Sequence, residues 1–157
     1  MADMADELDG LGRELLRRLR AEIPITAQMG MRGLAFNGET LRLSFPLAPN
    51  TNDKGTAFAG STYSLMVLCS WALVTMILEQ AGERVVVVVA TAAVEYAQPL
   101  TEAEPVAMAR LAEGDTPAEL VQRFRATGRA KVQVVTRIGT ATGGAAATFS
   151  GLFVARR

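Results

Sequence analysis

The residues best suited to chemistry lie in one run, Asn50-Thr51-Asn52-Asp53-Lys54-Gly55-Thr56-Ala57-Phe58-Ala59-Gly60-Ser61-Thr62-Tyr63-Ser64-Leu65, where a polar loop feeds the small-residue start of an apolar segment. Small residues let backbone and ligand approach closely. The free N–H groups of a helix start, at the positive end of its dipole, can hold an anion or a developing oxyanion. Gly60 and the neighbouring amides are the candidates for that task, with Gly55, Thr56, Phe58 and Ala59 around them. The Asn52 amide both donates and accepts, so it can orient a water, although asparagine equally suits a local turn. Asp53 is the acid nearest the helix start: a general base if partly buried, a solvated loop acid beside Lys54 if not. A second carboxylate, Glu95, stands in Val94-Glu95-Tyr96-Ala97-Gln98-Pro99 and points either inward or to solvent. The Ser61 and Tyr63 hydroxyls either touch ligand or serve backbone and packing. Without an activating base beside it, Ser61 is not expected to be a nucleophile.

Arg123, Arg125, Arg129 and Lys131 form a local basic cluster, read either as a receptor for phosphates or as a solvated rim balanced by Glu119 and Asp115. The chain contains no histidine. That excludes Ser-His-Asp and Cys-His catalysis and the usual zinc sites. The single cysteine, Cys69, lies in an apolar stretch, so no intramolecular disulfide forms and a reducing cytoplasm is the expected setting. With 16 basic and 16 acidic side chains among 157 residues, the balance suggests neither nucleic acid nor a membrane surface as partner.

These groups need elements to hold them. Leu8, Leu11, Leu15, Leu19 and Ile23 recur at helical spacing before Pro24, predicting an amphipathic helix behind a loose acidic lead-in at residues 1–9. Strands are expected at residues 31–36 and 40–47 around Asn37-Gly38, a hairpin signal. Residues 55–78 carry no charge and are long enough to cross a bilayer. Gly60, Ser61, Thr62, Ser64, Ser70 and Thr75 within that stretch, and flanks without a basic cluster, favour instead a helix enclosed by protein, for which a curved sheet is the common wrapper. Gly82 is its expected stop. Residues 84–99, with valines from Val85 to Val89, read as one long central strand. Another strand is expected at 105–111, then a short helix opened by the capping box Thr116-Pro117-Ala118-Glu119 and ended by Gly128. Strands at 129–138 and 145–155 complete the order.

Asn52-x-x-Gly55-x-x-Phe58-Ala59-Gly60 resembles the Asn-x-x-Gly-x-x-His-Gly-Gly element of hotdog acyl-CoA thioesterases, and the order of elements around it matches. The run from Pro46-Leu47-Ala48-Pro49-Asn50 to Gly60-Ser61-Thr62-Tyr63-Ser64-Leu65 is more closely similar to the family typified by the C-terminal domain of YiiD. The resemblance implies an α+β hotdog fold, a long central helix wrapped by an antiparallel β-sheet, over residues 23–157, with residues 1–22 as lead-in and amphipathic helix. It also implies a homodimer or dimer of dimers with sites at subunit interfaces. The implied activity is hydrolysis of an acyl-CoA or acyl-carrier thioester to acid and thiol, coenzyme A entering as part of the substrate, with no metal. The chain departs from the broader pattern at three places. Phe58 stands at the histidine, Ala59 at the first glycine of the pair, and Val67 near where many thioesterases place a helix carboxylate. A hotdog that binds acyl-CoA, or a partner, without catalysis is therefore the alternative.

Overall fold

A computed structural model describes residues 2–157, with side chains from Leu8 onward. The first helix, α1 (Ala2–Glu22), starts well before the expected point, because residues 2–9, placed as a loose lead-in, continue the helix whose Leu15 and Leu19 are fully buried. Pro24 ends it and opens a one-turn helix, α2 (Pro24–Gln28). Strands β1 (Arg32–Phe36) and β2 (Thr40–Ser44) form the expected hairpin. Its turn is closed by Asn37 Oδ1, which accepts from the Glu39 and Thr40 amides at 3.0 and 2.8 Å, with Gly38 at φ +100°.

A short 3₁₀ turn (Ala48–Asn50) leads to the central helix, α3 (Ala59–Gln80). Its apolar character on all sides follows from its surroundings, since β2 to β6, α1 and α4 all contact it. By length and composition α3 could cross a membrane, yet 67% of its most apolar window is buried inside the protein. Gly82 (φ +84°) stops it, its amide bonded to the Glu79 carbonyl at 2.9 Å. The polar groups inside α3 are satisfied locally: Ser70 Oγ meets Thr136 Oγ1 at 2.6 Å, and the Cys69 thiol reaches the Leu41 carbonyl at 3.3 Å. Burial pushes that thiol above its ordinary range, which makes it a core group without reactivity.

The remaining elements are β3 (Val86–Tyr96), β4 (Val106–Leu111), α4 (Pro117–Thr127), β5 (Arg129–Gly139) and β6 (Ala145–Arg156). The strands form one antiparallel sheet in the order β1-β2-β4-β5-β6-β3. This is the hotdog fold. One expectation is corrected: β3 is an edge strand, bonded only to β6, with Val86, Val88 and Val89 exposed. A run of valines signals burial on both faces in a single chain, but it equally suits an edge that another strand covers. β3 also carries a bulge between Val89 and Thr91, so the face set by Val87 and Val89 is continued by Ala92, Val94 and Tyr96.

The capping box of α4 forms as expected. The Glu119 amide donates to Thr116 Oγ1 at 3.2 Å and the Thr116 amide donates to Glu119 Oε2 at 3.0 Å. Leu120 and Phe124 bury the helix against the sheet, and Gly128 (φ +72°) ends it. Thr116→Ala is expected to destabilise the protein by about 1 kcal/mol, read as a lowered unfolding midpoint in urea.

Candidate active site

The loop before α3 is tied down by its own side chains. Asn50 is buried and donates from Nδ2 to the Met29 and Pro46 carbonyls, each at 2.8 Å, while its own carbonyl accepts from the Phe58 amide at 2.7 Å. Asn52 closes the next turn. Its Oδ1 accepts from the Lys54 and Thr56 amides (2.9 and 3.1 Å), and its Nδ2 donates to Thr56 Oγ1 at 2.9 Å. Gly55 sits at the tip with φ +74°, where a side chain would be strained. Ala57 is held to the Leu100 carbonyl at 2.9 Å, which ties the loop to the chain leaving β3.

Phe58 turns the chain into α3 with extended backbone, and no side chain caps the helix. The first-turn amides of Ala59, Gly60 and Ser61 are therefore left for solvent or a ligand. The Phe58 ring is 54% exposed and lies against Gly60, where an added Cβ would stand 2.6 Å from ring carbon Cε1. Gly60 is thus what lets the ring lie against the first turn.

A cleft of about 310 Å³ opens beside this turn, with Asn52, Thr56, Ala59, Thr62, Tyr96 and Gln98 in its walls. Tyr96 comes from β3, and its hydroxyl donates to the Ala59 carbonyl at 3.0 Å. Burial, and after it the neighbouring Tyr63 phenol, push that hydroxyl above the usual tyrosine range, so it stays a protonated donor at neutral pH. The walls hold donors and acceptors without charge.

Residues 12–157 match the family model described as "Putative thioesterase (yiiD_Cterm)". The chain belongs to the YiiD C-terminal-domain family. A crystal structure described as a putative thioesterase from Shewanella oneidensis is 31% identical, covering 95% of this chain and 99% of that one, with a TM-score of 0.83. A protein of unknown function from Chlorobaculum tepidum is 24% identical over 96% of both chains, with a TM-score of 0.86. The family match extends into α1, in keeping with the place of Leu15 and Leu19 in the common core.

Within this YiiD-type domain the structure gathers some of the expected site residues and separates others. Asn52, Thr56 and Ala59 line the cleft, and Gly55, Phe58, Gly60 and Ser61 lie on the same loop and helix turn. Tyr63 packs edge-on against Phe149, ring centres 6.1 Å apart. The Asp53 side chain is 80% exposed and pairs with Lys54 at 2.8 Å, outside the cleft walls. Glu95 lies opposite Thr148 on the outward face of β3, away from α3.

The basic cluster sits at the other end of the central helix. Arg125 bonds Glu83 and the Ala81 carbonyl, both at 2.7 Å, and Arg123 pairs with Asp115 at 2.7 Å. Arg129 and Lys131 are exposed on β5. A helix the length of α3 spans about 30 Å, so within one chain the cluster does not reach the cleft. Thr62, Tyr96 and Gln98 were the polar residues missed. The last two follow Glu95 on the segment singled out in the sequence, and the bulge in β3 is what turns Tyr96 toward the helix.

Proposed function

We propose that this domain hydrolyses an acyl thioester of coenzyme A or of a phosphopantetheine carrier, in the cytoplasm, as a homodimer or a dimer of dimers. The observation that carries the reading is the uncapped first turn of α3 opening on a cleft with neutral polar walls. The thioester carbonyl lies toward the amides of Ala59 and Gly60, where the developing oxyanion is stabilised. Water adds to the carbonyl carbon, the tetrahedral oxyanion collapses, the C–S bond breaks, and the thiolate takes up the proton that the water gave. Gln98 orients the water, Asn52 holds the loop that shapes this wall of the cleft, and Asp53 stands at the rim.

The proposed assembly supplies a place for the carrier. β3 runs from Val86, beside the C-terminal end of α3, to Tyr96, whose hydroxyl meets the first turn. Two β3 edges related by a twofold axis pair antiparallel, which sets Val86 of one copy near Tyr96 of the other. The basic cluster of one subunit, with Arg123, Arg125, Arg129 and Lys131, then approaches the cleft of its partner, where carrier phosphates are received.

Release of thiol from a panel of acyl-CoAs, followed with a thiol-reactive dye, tests the reading. Turnover with kcat/KM of at least about 10⁴ M⁻¹s⁻¹ on the preferred chain is expected. The absence, among the described residues, of a carboxylate from the cleft walls favours a second reading, an acyl-CoA binder without catalysis; saturable binding with no thiol released would decide for it. Because Asp53 is solvated and Glu95 faces outward, Asp53→Asn and Glu95→Gln are each expected to cost less than about tenfold in kcat, whereas loss of a general base costs about a hundredfold or more. A hundredfold fall for Asp53→Asn would assign it the proton.

A further inference from the structure

The outer face of the sheet carries a feature that the thioester reading leaves unused. Arg42 on β2, Met108 on β4 and Arg137 on β5 stand in register across three neighbouring strands, and Arg110 follows on the same face of β4. All four are exposed, Met108 to 46%. Strand geometry sets the Arg42 and Arg137 Cα atoms about 10 Å apart with Met108 between them, and Arg110 about 7 Å further along. The three guanidinium arms can meet above the thioether. Gly139 at the end of β5, with Thr140 and Gly143 of the β5–β6 loop, walls one side, making a cleft of about 410 Å³, inside the range of roughly 300–1,000 Å³ common for small-molecule sites.

The charge of this cleft is unbalanced. Among the described residues none of the three arginines forms an ion pair, and Arg137 donates only to the Gly143 carbonyl, at 3.0 Å. Of the nearby acids, Glu104 is engaged by Arg32 and Ser44, Asp115 by Arg123, and Glu102 by the Ala141 amide; Glu39, which shares a neighbouring cleft with Arg110, is not among the residues that line this one. Glu95 shares the row of Arg137 but lies two strands away, beyond Thr148. A second copy of this face would set arginine against arginine, so self-association does not neutralise it. Guanidinium forks match phosphoryl oxygens in two-point fashion, and a polarizable methionine at their centre is a fitting floor for a flat ring.

We propose that this outer cleft binds a nucleoside diphosphate, the diphosphate held by Arg42, Arg110 and Arg137 and the base laid against Met108. The site lies across the sheet from the thioester cleft and is independent of it. Calorimetric titration of the full chain with ADP at low salt tests the proposal. Saturable binding is expected, weakening as salt is added. Arg42→Gln, Arg110→Gln or Arg137→Gln should each weaken it at least about tenfold, Met108→Glu should abolish it, and Arg17→Gln on α1 should leave it unchanged, with circular dichroism unaltered throughout. No saturable heat at millimolar ADP, equal binding of adenosine, or indifference to the three arginine variants would overturn it. So would capture of a polyglutamate peptide more tightly than ADP, which would make the face a docking surface for acidic protein.

Discussion

A chain carrying Ala59→Pro is expected to fold and assemble as its parent does and to release thiol from an acyl thioester at least about a hundredfold more slowly. Ala59 is the first residue of α3, and Phe58 before it has φ −62° and ψ 132°. Proline is favoured at the first helical position because its missing N–H has no partner inside the helix. The residue before a proline prefers extended backbone, which Phe58 already has. The substitution therefore removes one first-turn donor at the wall of the cleft and leaves the helix its start. Ala59→Val adds comparable bulk while keeping the N–H, so the pair separates crowding from loss of the donor. The fall should lie in kcat, with KM little changed, since the amide acts on charge that develops only in the transition state. Retention of more than a tenth of the parent rate by the proline variant would move the oxyanion away from Ala59.

The second large effect is expected at the sheet edge. Thr91 and Ala93 lie near the middle of β3 on its outward face, and both are exposed. Thr91→Lys combined with Ala93→Lys leaves the single-chain core untouched, yet it sets like charges against one another across an antiparallel seam. Light scattering should show the parent as a multiple of 16.7 kDa and the double variant at 16.7 kDa. Activity should fall at least about a hundredfold, because the arginines proposed to receive the carrier and the cleft are then no longer held together. A parent that is monomeric at micromolar concentration would refute the seam, and an active monomeric variant would place the whole site within one chain.

Helix ends were legible in the sequence because their causes are local. Pro24, Gly82 and the Thr116–Glu119 box each act within a turn of where they stand, and each does so here. The enclosure of α3 was legible from its lack of a polar face. The position of β3 in the sheet was not, since valines covered by a neighbouring strand of the same chain and valines left at an open sheet edge have the same composition. Side-chain roles in the loop were legible only as pairs of alternatives. The structure spends the Asn52 amide largely on its own turn and leaves Asp53 in solvent, outcomes decided by hydrogen-bond distances that residue types do not contain.

The bulge in β3 acts as a selector of chemistry. Unbroken alternation from Val87 and Val89 would carry Glu95 to the helix side, opposite Ala147 in the cleft wall, and send Tyr96 outward. The unpaired Ala90 reverses that choice, so the cleft presents a phenol in place of a carboxylate. Sliding the second half of β3 by one residue along β6 would exchange a neutral hydrogen-bond donor for an ionisable proton acceptor without altering a single side chain. For anyone seeking to redirect this scaffold, the place to intervene is backbone register in the middle of a strand, several residues away from the groups whose chemistry it decides.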